Sequence, residues 1–185
     1  EKLHFIKARS EAHKRLKKAV SARKNYKKAR ALIYNQLENN PDADMKRSIT
    51  QLLEKVDKQI AKLEAACDAA IESDERMRDL SRRFQEVKCV GPCLARDVLA
   101  YCPDIGEFNS KSIAKMCGDA PIDHESCTIK KKAKPKRGRS DLKKALYMAA
   151  VSGSRTNHIL RGIYQRLIAN GKPRKVALTA VARHI

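Results

Sequence analysis

MKRSITQLLEKVDKQIAKLEAACDAAIESDERMRDLSRRF, residues 45–84, decides the architecture. Ile49, Leu53, Val56, Ile60, Leu63, Cys67 and Ala70 recur at alternating steps of four and three. That 3.5-residue spacing is the signature of a helix with one seam packed against another helix. Asp74 and Ser81 then occupy seam positions, with Met77 and Phe84 between and after them, so the seam weakens there and the helices are expected to splay. Nothing in this stretch carries chemistry.

Upstream, residues 1–38 contain no Gly or Pro and are rich in helix formers. The same stepping picks out Phe5, Arg9, Ala12, Leu16, Ala19, Arg23, Tyr26, Arg30, Ile33 and Leu37, which predicts one largely buried face and Lys/Arg on the others. The basic faces read as solvated helix surface or as a rail along a nucleic-acid backbone, and the two are compatible. Asn39-Asn40-Pro41-Asp42-Ala43-Asp44 is a turn, with Asp44 the expected helix cap. The expectation is an antiparallel helical hairpin over 1–86. A two-helix hairpin buries little by itself, so Ile49, Leu53, Val56, Ile60 and Leu63 are expected to serve a homo-oligomer, dimer or tetramer.

The formal charge of +20 is unevenly spread. Residues 1–38 carry twelve Lys/Arg and three Asp/Glu, residues 39–86 nine and eleven, and residues 87–185 twenty and seven. Two basic regions around a balanced one point to a polyanion, and nucleic acid is the expected partner. With 42% hydrophobic residues, 4% aromatics and no Trp, a core rich in Ala and Leu is expected. The six Cys form no CxxC pair and no zinc-finger spacing, so free thiols in a reducing compartment are expected and no metal site. No signal peptide or membrane-spanning run is visible. No segment gives a strand signal, and the fold class is all-α.

Phe84 to Phe108 reads as helix, hairpin, helix, with Lys88-Cys89-Val90-Gly91-Pro92 at the bend. Pro92 suits a first helical turn, and amides at Gly91 are placed to hold a phosphate without reading sequence. Asn109 is the expected cap of a short helix, Ser110–Cys117, closed by Gly118. Residues 118–148, GDAPIDHESCTIKKKAKPKRGRSDLKKALYM, carry the chemistry. Seven of the ten residues from Lys130 to Arg139 are basic: Lys130, Lys131, Lys132, Lys134, Lys136, Arg137 and Arg139. Ser126 precedes that run. A hydroxyl beside clustered cations suits attack on a phosphodiester, since the cations offset charge developing on phosphoryl oxygens. By itself a Ser in a basic loop is more often a solvated surface residue. Asp119, Asp123, His124 and Glu125 lie beside it in sequence, but one His among local acids does not define a triad. Ser140 is expected to cap a helix to about Ser152, with Leu142, Ala145, Leu146, Ala149 and Ala150 on its buried face; Tyr147 reads as core, the alternative being a side chain that approaches a phosphate. Gly153 interrupts. Asn157 caps a further helix, and Lys175–Ile185 forms the last.

Three segments then carry a resemblance. AP-x4-S (Ala120 to Ser126), the basic loop, Arg137-Gly138 and LKKALYMAAV (Leu142–Val151) resemble the C-terminal domain of DEDD-type insertion-sequence transposases, insertion-sequence family one-ten, the bridge-RNA-guided recombinases. VKCVGPCLARDVLAYCPDIGEFNSKSIAKMCGDAP (Val87–Pro121) is similar to that family's helix-hairpin-helix and following helix, and NGKPRKVALTAVARHI (Asn170–Ile185) to its last helices. The likeness covers about half the chain. It implies that residues 87–185 form the transposase domain and that Ser126 is the nucleophile of a phosphoserine–DNA intermediate. It also implies DNA as substrate, a structured guide RNA, and a bacterial or archaeal cytoplasm, at the nucleoid. A RuvC-like nuclease domain with four acidic Mg²⁺ ligands would precede this region. Nothing in residues 1–185 matches it, so a piece without the metal site, inactive alone, is expected. Two residues depart from the family pattern: Cys127 follows the Ser where Gly is usual, and Cys89 stands at the hairpin's first Gly. Two other classes remain open, a non-catalytic nucleic-acid-binding module with a coiled-coil dimeriser, and a coiled-coil assembly protein that binds RNA incidentally.

Overall fold

The computed structural model describes residues 9–39, 41–102, 105, 112–113, 122–126, 129–134 and 139–185. Seven helices account for most of them: α1 (Glu11–Glu38), α2 (Ala43–Glu72), α3 (Glu75–Gln85), α4 (Pro92–Tyr101), α5 (Ser140–Thr156), α6 (His158–Ala169) and α7 (Arg174–Ala182). The fold is helical, as the sequence indicates. One short antiparallel pair, β1 (Ile122–Ser126) and β2 (Ile129–Lys134), departs from the expectation of no strand. Charged residues surround its β-branched Ile122 and Ile129, so no alternation of apolar and polar residues marks the strands.

The chain divides into two compact units, residues 1–78 and 79–185. The sequence suggested a boundary at 86/87. The second unit claims the end of α3, because Phe84 packs against its core.

In the first unit α1 and α2 run antiparallel, 28 and 30 residues long, so each arm is about 42–45 Å at 1.5 Å per residue. Leu53, Val56, Ile60, Cys67 and Ala70 of the heptad are buried, and Ile49 and Leu63 are half-buried. On α1 the buried residues are His13, Leu16, Val20 and Arg23. His13 and Val20 lie one position beside the expected Ala12 and Ala19, and Tyr26 is exposed. Two ionic contacts one heptad apart fix the register. Arg30 Nε and Nη2 donate to Asp57 at 2.5 and 3.1 Å, and Glu64 receives Lys27 Nζ at 3.1 Å with Arg23 Nη1 at 3.9 Å. Arg30 holds the Asp57 carboxyl below the usual carboxylate range, chiefly by that hydrogen bond.

The second arm is not one forty-residue helix. Asp74 accepts from Met77 N at 3.1 Å and so caps α3, because a carboxylate at a seam position gains more as a cap than in an apolar stripe. Asp74 also accepts from Ser10 Oγ at 3.1 Å, and Ser10 caps α1 through His13 N. The two caps therefore clasp the open end of the hairpin. At the turn, Asp42 rather than Asp44 caps α2, accepting from Met45 N at 2.8 Å; Asp44 lies in the first turn.

In the second unit α5 is the hub, packing on α4, α6 and α7. Leu142 and Ala150 are fully buried among Leu94, Val98, Leu146 and Leu160. Gly153 does not interrupt α5. It lies inside the helix, where a Cβ would meet Leu160 Cδ1 at 2.7 Å and Cys89 Sγ at 2.9 Å, so the close approach needs a residue without a side chain. Ser140 is the first helical residue, not the cap; Arg139 holds that position without a side-chain cap bond. Asn157 caps α6 as expected, accepting from Ile159 N at 3.0 Å and Leu160 N at 3.3 Å. In α7 Val181 is fully buried but Val176 is exposed. The expected helix Ser110–Cys117 lies outside the described residues, apart from Ser112 and Ile113.

Candidate nucleic-acid interface and nucleophile

The α3–α4 bend is built by local hydrogen bonds, Val87 N to Phe84 O at 3.2 Å and Val90 N to Val87 O at 2.9 Å. Cys89 completes the bend with φ of 97°, the conformation a Gly adopts at no steric cost. Its side chain packs on Gly153, and burial pushes its thiol pKa up, so it stays protonated. Here the sequence already held the clue, a Cys where the resembled family has Gly. Gly91 follows in extended backbone as the cap residue of α4, with Pro92 in the first turn and no side-chain cap bond. Among the described residues a Cβ at Gly91 would meet nothing within 4 Å, so none of them fills the space before α4.

The backbone register of the β pair sets Ser126 opposite Ile129, Glu125 opposite Lys130, His124 opposite Lys131 and Ile122 opposite Lys134, with an irregularity between Ile122 and His124. Ser126 thus ends β1, one step along the ladder from Lys130. Lys132 lies on β2 between these pairs. Lys136, Arg137 and Cys127 lie outside the described residues. Among the described elements the two strands pair only with each other.

Arg139 is half-buried. Its Nη1 donates to the Tyr101 carbonyl oxygen and lies 3.5 Å from Cys102 Sγ. This side chain ties the end of α4 to the start of α5. Tyr147 is not core: with Ser140, Lys143, Lys144 and Met148 it lines a shallow depression on the outer face of α5. The signal for that face was present as i, i+3, i+4, i+7 spacing of Ser140, Lys143, Lys144 and Tyr147.

The predicted oligomer residues Leu53, Val56 and Ile60 sit in the hairpin's own seam, under 10% exposed within one chain. Among the described residues no three His, Cys, Asp or Glu side chains converge as metal ligands, and no helix is long and apolar enough to cross a membrane.

Residues 81–165, from the end of α3 into α6, match the model of the transposase IS116/IS110/IS902 family, and over that segment the chain is similar to it. No curated protein matches the chain.

Proposed function

We propose that the chain binds DNA through its second unit and supplies Ser126 as the nucleophile of strand cleavage and exchange. The observation that carries this is the strand register. Ser126 closes β1 one pair from Lys130, on a ladder whose other strand is IKKKAK, inside the segment matching the transposase family. In the step proposed, Ser126 Oγ bonds to the scissile phosphorus as the bond from phosphorus to the DNA's bridging oxygen breaks. The hydroxyl proton passes to a base, and the departing sugar oxygen takes up a proton. Lys130, Lys131, Lys132, Lys134, Lys136 and Arg137 offset the charge on the phosphoryl oxygens. Arg139 is engaged on Tyr101, so its part is to position the run as well as to add charge. The α4 start at Gly91 seats a neighbouring phosphate through backbone amides, without sequence preference.

Among the described residues no three His, Cys, Asp or Glu side chains converge as metal ligands; acidic residues outside them would hold the Mg²⁺ that the family resemblance implies. A structured guide RNA and a homo-oligomer complete the proposal. With Leu53, Val56 and Ile60 covered by α1, the oligomer contact falls on another surface.

The test uses the intact transposase with Mg²⁺ and its guide. A covalent protein–DNA adduct is expected, with the DNA remnant on Ser126 by mass spectrometry. Ser126→Ala should abolish the adduct and keep DNA binding. A remnant on Cys127, Ser140, Ser152 or Ser154, or an undiminished adduct in Ser126→Ala, refutes the assignment. A chain that binds DNA with no adduct in any form favours the non-catalytic module.

A further inference from the structure

The outer face of α1 carries a charge pattern that hairpin packing does not explain. Between Ala12 and Leu37 the helix holds nine Lys/Arg and no Asp or Glu. Arg23, Lys27 and Arg30 turn toward α2 and meet Glu64 and Asp57. Lys14, Lys17, Lys18 and Lys28 lie on the opposite side with Ser21 and Asn25, all exposed. Only Lys14 has an ion pair among the described residues, to Glu11 at 2.6 Å; for Lys17, Lys18 and Lys28 none is formed there. Lys14 and Lys18 are four residues apart, a spacing at which like charges destabilise a helix.

Solubility alone does not require this. The exposed positions of α2 mix Lys46, Lys55, Lys58 and Lys62 with Glu54, Asp68 and Glu72, which solvates a helix without self-repulsion. Lys14 to Lys28 spans about 21 Å along the axis, a straight row of ammonium groups with two small hydrogen-bonding side chains among them and, beyond Glu11 at its start, no carboxylate. The chemistry that removes the repulsion is a row of phosphates.

We infer that the outer face of α1 is a second, sequence-independent contact for a phosphodiester backbone, separate from the Lys130–Arg139 run. The inference rests on the reading of the chain as a nucleic-acid-binding transposase domain. Duplex DNA and a folded RNA present the same phosphate chemistry, and both are probes in the test.

The experiment compares three variants of the full chain: Lys14, Lys17, Lys18 and Lys28 each to Gln; Lys46, Lys55, Lys58 and Lys62 each to Gln, with the same loss of charge; and Lys130, Lys131 and Lys132 each to Ala. Affinity is measured against salt on a 30-base-pair duplex and on a stem-loop RNA. If three of the four α1 lysines seat phosphates, the log–log slope for duplex DNA should fall by about 2.7, at roughly 0.9 per phosphate. The α2 variant should change it by less than about 1. The polymer with the larger change is the one the rail holds. Equal losses in the α1 and α2 variants reduce the effect to net charge and overturn the inference. An unchanged α1 slope beside a flattened loop variant also overturns it while leaving the proposed function standing. A parent affinity that ignores salt sinks the proposed function itself. Far-UV ellipticity of the α1 variant should match the parent; should it not, Lys17→Gln with Lys18→Gln, expected to lower the slope by about half as much, gives the same reading.

Discussion

The two units of this chain solve the same problem, burying helix faces with few aromatics, in opposite ways. The hairpin repeats one rule for most of its length: a 3.5-residue seam with ion pairs at its margin and caps at its ends. The second unit repeats nothing. It wraps α4, α6 and α7 around α5, admits a close approach at Gly153, and accepts a non-Gly residue at φ of 97°. A regular seam tolerates error because each layer contributes little. A hub concentrates consequences in a few positions, and those positions sit next to the segments proposed to meet DNA.

That contrast can be broken most easily at Ile60. It is 8% exposed in the seam, so Ile60→Asp buries a charge with no partner, a loss of about 3–5 kcal/mol. Hydrogen exchange should show protection falling across 11–72 while 140–182 keeps its own. Loss of protection in both would mean the units are not separate. In the hub, Leu142→Ala empties space at a fully buried site and should cost about 2–5 kcal/mol, read from chemical denaturation. A cost under 1 kcal/mol would make α5 an ordinary surface helix.

Smaller effects sharpen the comparison. Gly153→Ala should destabilise by about 1–2 kcal/mol despite the better helix propensity of Ala, since Leu160 and Cys89 must move. A stabilised variant would mean that α5 does not need the close approach. The smallest effect is acid sensitivity of the hairpin. Asp57 and Glu11 have carboxyl pKa values lowered by hydrogen bonds from Arg30 and Lys14. Their contribution is present above the unfolded carboxylate pKa, near 4, and is lost as pH falls through the lowered folded values. Helix melting temperature should therefore drop slightly below pH 4, and Asp57→Asn should shrink that drop. An unchanged drop in Asp57→Asn would show that the pair does not hold the register.

How much was legible follows the same division. The hairpin could be read because its burial is periodic; even the break at Asp74 showed as a carboxylate in the seam, although its role as a cap did not. What periodicity missed was local competition, such as Asp42 capping in place of Asp44. In the hub, Asn157, Pro92 and the apolar face of α5 were readable from single residues. Gly153 was misread because its reason lies in other segments, Leu160 on the next helix and Cys89 at the α3–α4 bend. The β pair was hidden by its own charge, and Tyr147 was placed in the core because an aromatic beside Leu146 gives no sign of which face it takes. Ser126 is proposed from the resemblance, by its distance from Ala120-Pro121. Chemistry alone would not have singled it out among the serines.

The contact between Cys89 and Gly153 makes the two positions one heritable unit. A thiol at 89 is admitted because 153 has no side chain, and a methyl at 153 is opposed in part because 89 has one. Their substitutions should not add, and the order in which they occur should matter. A chain that first restores Gly at 89 opens room for change at 153, relieved only of the sulfur and still facing Leu160. A chain that first fills 153 meets both. Sequence drift at the bend is therefore steered from the far end of α5.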